Sequence, residues 1–379
     1  MKLKSEQNHW IVFNIINLLM EVIKMSKEQD LREQLRHKWE EMENVQVKIA
    51  LLGQPGAGKS SLINALIGKK LFEVGVHTDT TVEAQEENFE SLVITDLPGY
   101  GTAKFPVETW VKEFKPEDYD LYLFVFEGKL HDSDAELFKY LKKWRDERKH
   151  PFFVVRNKTD QIWDEDKKLE ELQNEIRKDV IEKIGEPSVK VYFTSCKDKT
   201  GLAPLKADIF KSNIAEVKKS KLTAAFKAET MADIDMKREM CLDDVTTYAW
   251  AGAANALNPV PGLDISVDVG VFYKMLKNIR EAFGFSNEEE LKKYEVLGPV
   301  AKQLINKILE YATKEGVIQL IKQLGVRYAR QKFSKYIPFV GQALAALAGF
   351  AMIKEVGTSY VEDCYKLSQL ILEKVVKNS

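Results

Sequence analysis

Four short motifs, each following an apolar run, carry the chemistry open to this sequence. Gly53-Gln54-Pro55-Gly56-Ala57-Gly58-Lys59-Ser60 fits G-x-x-x-x-G-K-S and follows the run Val47–Leu52. Glycines at these places let a backbone curl until its N–H groups face one centre. A helix expected over Ser61–Ile67 adds partial positive charge at its N-terminus. That cradle suits phosphate oxygens, with Lys59 bridging the β- and γ-phosphates and the Ser60 hydroxyl ligating Mg2+. Asp96-Leu97-Pro98-Gly99 follows the run ending at Thr95. A carboxylate at a strand end can hold Mg2+ through water. The Gly99 N–H can meet the γ-phosphate, and glycine lets the chain pivot there.

The remaining two motifs choose a base. Asn157-Lys158-Thr159-Asp160 follows Phe152–Val155 and fits N-K-x-D. The Asp160 carboxylate accepts hydrogen bonds from N1–H and the exocyclic amine of guanine. Adenine lacks that pair and leaves the carboxylate unsatisfied. The Lys158 stem would cover the base plane. Thr194-Ser195-Cys196-Lys197 stands where a backbone N–H can meet guanine O6, and a small residue such as Cys196 lets the chain approach. The expected nucleotide contacts are thus Gly53, Gln54, Pro55, Gly56, Ala57, Gly58, Lys59, Ser60 and Ser61 around the phosphates, and Asn157, Lys158, Asp160, Ser195 and Cys196 around the base, with GTP or GDP and Mg2+ as cofactors.

Between the first two motifs lies His77-Thr78-Asp79-Thr80-Thr81. One of its threonines is expected to ligate Mg2+ through its hydroxyl and the γ-phosphate through its N–H. Thr81, just before a strand expected over Val82–Phe89, is favoured; Thr80 and Thr78 remain open. Ser60, Thr81 and Asp96 then form the metal set. Tyr100 follows Gly99 where a Ras-like enzyme carries a water-orienting glutamine. Hydrolysis must then rely on another group, on a partner molecule, or be slow.

These loops need a scaffold. At 379 residues the chain exceeds a single ordinary core. The runs Val47–Leu52, Leu92–Thr95, Leu121–Phe126, Phe152–Val155 and Val189–Thr194 alternate with amphipathic segments across residues 47–213, which indicates a mostly parallel α/β sheet covered on both faces. Val82–Phe89 adds an antiparallel edge. Residues 1–46 and 214–379 read as helical and define an N-terminal segment and a C-terminal domain. Tyr248–Val271 and Ile337–Ile353 are apolar, but Gln342 interrupts the second short of the ~18 residues a membrane span needs. Both are expected as buried helices. Trp10–Ile23 is interrupted by Asn14, Asn17 and Glu21 and is read as an amphipathic helix rather than a signal. A net charge of -2 gives no field drawing the chain to nucleic acid. Cys196, Cys241 and Cys364 are too scattered for a disulfide framework or a metal cluster and suit a reducing cytosol.

Over most of its length the chain resembles the immunity-related, or interferon-inducible, GTPases. Asp96-Leu97-Pro98-Gly99-Tyr100-Gly101 is similar to their D-L-P-G-x-G, and Phe153-Val154-Val155-Arg156 to the lead-in of their base motif. Asn258-Pro259-Val260-Pro261-Gly262-Leu263-Asp264 and Ile337-Pro338-Phe339-Val340-Gly341 resemble segments of their helical domain, and Lys59 places the chain with the G-K-S branch. The resemblance implies a Ras-like P-loop domain with a helical domain built from both chain ends. It implies GTP hydrolysis, GTP-dependent dimers or oligomers with itself and possible related GTPases, and a cytoplasmic protein with peripheral association to intracellular membranes such as pathogen vacuoles. The alternative is a GTP-dependent interaction or scaffold module with little hydrolysis. Asp79, two positions before Thr81, matches an acidic residue acting across the dimer, and Lys129 and Asp132 match basic and acidic dimer positions. The catalytic set becomes Lys59, Ser60, Asp79, Thr81 and Gly99. The chain departs at Asn157, where threonine is common, and at Gln54, where glutamate occurs. Lys2 stands where some members carry a myristoylated glycine.

Overall fold

The computed structural model describes residues 44–73, 84–101, 105–148, 150–255, 269–331 and 341–378. Strands β1 (Val47–Leu52), β2 (Gln85–Phe89), β3 (Leu92–Asp96), β4 (Leu121–Phe126), β5 (Phe152–Arg156) and β6 (Val191–Phe193) form one sheet ordered β2-β3-β1-β4-β5-β6. All neighbours are parallel except β2, which pairs antiparallel with β3. The expected strands therefore form, with shifts at their ends. β3 and β5 run one residue further than the apolar runs, to Asp96 and Arg156, because a ladder can end on a polar residue while an apolar run cannot. β6 is shorter than Val189–Thr194. The described edge strand begins at Gln85; its sequence, Gln-Glu-Glu-Asn-Phe, is charged, as suits an edge that must not pair with other chains.

The central strands are buried on both faces, which explains their continuous apolar character. Val47, Ile49 and Leu51 of β1 face one core with Leu62, Ile63 and Leu66 of α1 (Lys59–Ile67). Ala50 and Leu52 face the other, where α2 (Val107–Phe114), α3 (Asp132–Arg148) and α4 (Leu169–Ile184) contribute Trp110, Leu137, Phe138, Val180 and Ile184. Helix α5 (Leu202–Phe210) returns to the first core through Leu202, Leu205 and Ile209, joined by Leu222 of α6 (Glu216–Ala225). α1 begins two residues earlier than Ser61, so Lys59 and Ser60 lie in its first turn.

Beyond residue 214 every described element is helical: α6, α7 (Met231–Asn255), α8 (Val269–Ala282), α9 (Glu288–Lys292), α10 (Pro299–Glu310), α11 (Lys314–Gln331) and α12 (Gly341–Asn378), with a 3-10 turn at Lys293–Leu297. Backbone proximity groups the chain into two compact units. The first comprises residues 45–242, 278–308 and 361–379; the described residues of the second lie within 243–277 and 309–360. The second has its own core, with Tyr248, Phe272, Met275, Ile321, Met352 and Ile353 buried and Trp250 packed on Phe350 at 4.7 Å between ring centroids. The described parts of the two apolar segments thus serve packing. No described helix is long and apolar enough to cross a membrane. Trp10–Ile23, Asn258–Asp264 and 337–340 lie outside the described residues.

Candidate nucleotide site

In a parallel sheet, loops leaving the carboxyl ends of the strands gather along one edge, and the reversal of strand order at β1 opens a crevice there. The phosphate loop leaves β1, the D-L-P-G segment leaves β3, N-K-x-D leaves β5 and Ser195–Lys197 follows β6. One edge therefore receives all four motifs.

The phosphate loop is fixed by sterics as well as by hydrogen bonds. Gly53 has φ +133°, and a Cβ there would lie 1.8 Å from the Val125 carbonyl oxygen of β4, so no side chain fits. Lys59 is buried at 6% exposure. Its ammonium donates to the Gly53 carbonyl at 3.1 Å and stands 3.5 Å from Asp96 Oδ1. Ser60 Oγ donates to Asp96 Oδ2 at 2.8 Å. Lys59, Ser60 and Asp96 are thus one cluster, as the motif spacing requires.

The same cluster fits Mg2+. Asp96 Oδ1 is buried and accepts no hydrogen bond from the described residues, beside a hydroxyl oxygen already in contact with the carboxylate. Both are hard oxygen donors, and Mg2+ in phosphate sites takes one or two protein oxygens, with water and substrate phosphates completing its shell. Among the described residues no group of three or more His, Cys, Asp or Glu forms an all-protein metal cage. Thr78, Asp79, Thr80 and Thr81 lie outside the described residues.

Around the base, Asn157 ties two loops together. Its Nδ2 donates to Ala57 O at 3.1 Å and Gly58 O at 3.4 Å, while its Oδ1 accepts from Thr194 Oγ1 at 3.1 Å and Cys196 Sγ at 3.5 Å. Ser195 Oγ donates to Asp160 Oδ1 at 2.7 Å and accepts from the Asp198 N–H, which orients the exposed Asp160 carboxylate. Lys158 has φ +55° and ion-pairs with Glu127 after β4. Burial raises the Cys196 thiol to about 11, so it packs as a thiol. A cavity of about 500 Å³ opens between α1 and the Ser195–Lys197 loop, lined by Ser61, Asn64, Cys196, Lys197 and Leu202. It runs along α1 to Lys70 and Lys227, and neither Lys59 nor Asp160 lines it.

Tyr100 points away from this edge. Its ring is 1% exposed, edge-on to Trp110 at 5.5 Å, and its hydroxyl donates to Asp134 Oδ1 at 2.8 Å. Lys129 and Asp132 are exposed in the loop between β4 and α3 and at the start of α3. Glu127 and Asp134 escaped the sequence reading. The signal for Asp134 was an acidic residue in the first turn of a helix, a common stabilising choice that names no partner.

The strand order, the loop after β1 and the base motif after β5 define a Ras-like P-loop GTPase fold, followed by a helical C-terminal region. More narrowly, the chain belongs to the interferon-inducible GTPase family, whose model matches residues 12–379. Interferon-gamma-inducible GTPase 10 of Mus musculus is 27% identical over 269 residues, covering 65% of this chain and 63% of that protein. Interferon-inducible GTPase 1 of Mus musculus is 25% identical over 269 residues, covering 64% and 62%. The match thus spans less than two thirds of the length of these mouse relatives. Among solved structures, a probable GTP-binding protein engB is 24% identical, covers 44% of this chain and 97% of its own, and has a TM-score of 0.30.

Proposed function

We propose that this chain binds GTP with Mg2+, hydrolyses it to GDP and phosphate, and self-associates in its GTP-bound form. The observation that carries the reading is the Lys59–Ser60–Asp96 cluster at the mouth of the phosphate loop. Lys59 and the N-terminus of α1 offset charge on the β- and γ-phosphates as the bond to the leaving oxygen breaks. Ser60 and Asp96 would hold the Mg2+, which would supply charge neutralisation on the phosphates. The Gly99 N–H faces the γ-phosphate, and Asp160, oriented by Ser195, selects guanine.

Thr81 as the third metal ligand, and Asp79, Lys129 and Asp132 as groups acting between two molecules, belong to the same proposal. So do a helical domain formed by residues 1–46 and 214–379 with the GTPase domain over 47–213, and action in the cytoplasm at intracellular membranes, including pathogen vacuoles, in cell-autonomous immunity. Light scattering and phosphate release over a range of protein concentrations test it. Specific activity should rise with concentration, and particles should grow with GTP but not GDP; a flat activity would sink the cooperative step.

A second reading, GTP-dependent interaction with little hydrolysis, draws on the inward Tyr100, which gives the attacking water no orienting group from that position. Single-turnover hydrolysis with protein in excess separates the two. Turnover within minutes supports the first, and intact GTP after hours supports the second.

A further inference from the structure

Asp134 is a buried carboxylate, 1% exposed, with no basic side chain in ion-pair range among the described residues. A buried charge without a cation is strongly unfavourable unless hydrogen bonds replace its lost water. Among the described residues the donors are Tyr100 Oη at 2.8 Å and Gln54 Nε2 at 3.3 Å on Oδ1, and the His131 N–H at 2.7 Å on Oδ2. A helix-capping role would need only the His131 contact. The other oxygen instead collects side chains from two separate loops of the nucleotide site.

The geometry around it is tight. Gln54 Nε2 lies 3.3 Å from the Tyr100 carbonyl and from Ser133 Oγ as well as from Asp134. A Cβ on Gly99 would stand 2.8 Å from Pro55 Cδ, so the D-L-P-G segment rests directly on the phosphate loop. Trp110 holds the same segment from the other side, donating from Nε1 to the Pro98 carbonyl at 2.9 Å.

We infer that Asp134 is a positioning residue of the GTP site: it latches Gln54 of the phosphate loop and Tyr100 of the D-L-P-G-Y segment together, and so sets where the Gly99 N–H meets the γ-phosphate. The inference rests on the GTP-binding reading above. Gly99 touches only what GTP has and GDP lacks, so loosening the latch penalises GTP selectively. Residue 100 acts by being held inward, not by reaching the attacking water.

The test uses the full chain, with Tyr100→Phe, which removes one oxygen atom, and Asp134→Asn. Affinities for fluorescent GDP and a fluorescent non-hydrolysable GTP analogue are measured beside single-turnover hydrolysis. Each variant should lower the ratio of GTP-analogue to GDP affinity, and the hydrolysis rate constant, by about fivefold or more, with GDP affinity within twofold of wild type. The GTP-minus-GDP difference in tryptophan fluorescence, assigned by its loss in Trp110→Phe, should shrink in Tyr100→Phe. An unchanged affinity ratio in Tyr100→Phe overturns the latch, and so does an equal loss for both nucleotides, which marks general damage. If Asp134→Asn does not fold, Tyr100→Phe alone decides. A wild type that binds GTP without hydrolysing it sinks the hydrolytic reading while the affinity ratio still judges the latch. A wild type that binds no guanine nucleotide overturns both.

Discussion

The Ser60 hydroxyl donates a 2.8 Å hydrogen bond to Asp96 Oδ2, joining the end of the phosphate loop to the end of β3. The contact follows from strand register: Leu51 of β1 lies beside Asp96, so the loop leaving β1 must pass the carboxylate. Ser60→Ala removes that oxygen from the proposed metal set. GTP affinity with Mg2+ should fall by roughly ten- to a hundredfold, consistent with the ~1.5–3 kcal/mol of a hydrogen bond to a charged group. Chelating Mg2+ should then change the variant's affinity far less than that of wild type; equal Mg2+ dependence would remove Ser60 from the metal set.

Lys59→Ala takes away the cation nearest the buried Asp96. Truncating one partner of a desolvated charge pair typically costs ~2–5 kcal/mol. Calorimetry should show GTP binding weakened by at least about thirtyfold, and GTP-dependent scattering should disappear. Assembly that survives the substitution would argue against this loop as its trigger.

Asp160→Asn replaces an acceptor with a group that can also donate. Guanine then loses its paired acceptor, while xanthine, with a carbonyl in place of the amine, gains a donor. Competition titrations should show GTP losing about a hundredfold and XTP overtaking it, on the scale that unpaired buried polar groups produce. Retained preference for GTP would place guanine recognition elsewhere.

Cys196 should alkylate slowly. Burial lifts its thiol to about 11, above the ordinary ~8.5 of a free cysteine, so at pH 8 the reactive thiolate is scarcer by about two orders of magnitude. The native thiol keeps its proton where an unfolded one loses it. Its contribution to stability is therefore full below the ordinary thiol range and is lost as pH rises toward 11. Mass spectrometry of iodoacetamide labelling should show the Cys196 rate climbing through pH 9–10 without a plateau; saturation near pH 8 would contradict the burial.

Gly53→Ala should strongly destabilise the first unit. Its Cβ would lie 1.8 Å from the Val125 oxygen at a left-handed φ, and both strands are central in the sheet. A loss of about 3 kcal/mol or more is expected in chemical denaturation, in the range of strain at a special backbone conformation combined with core disruption. A melting temperature equal to wild type would refute the close approach.

Local patterns made the scaffold and loops readable. β1 and β4 carry apolar side chains on both faces, so the bounds Val47–Leu52 and Leu121–Phe126 coincide with the apolar runs. β3 and β5 end on Asp96 and Arg156, where hydrogen bonding outlasts hydrophobicity. Gly53–Ser60, Asp96–Gly99 and Asn157–Asp160 were legible because each loop's chemistry is local, set by spacing within a few residues of a strand end.

By itself, the sequence determined a P-loop after β1, an N-K-x-D loop after β5 and a mostly parallel sheet to hold them. Tertiary structure alone decided where Tyr100 turns, because a tyrosine after Gly99 is equally compatible with a ring facing the nucleotide or the core. The choice follows from Asp134 and Trp110, 34 and 10 positions further along the chain, whose carboxylate and ring surface become neighbours only when α2 and α3 pack on the sheet. Pairing across that separation carries no local period or spacing, so no pattern within one segment can announce it.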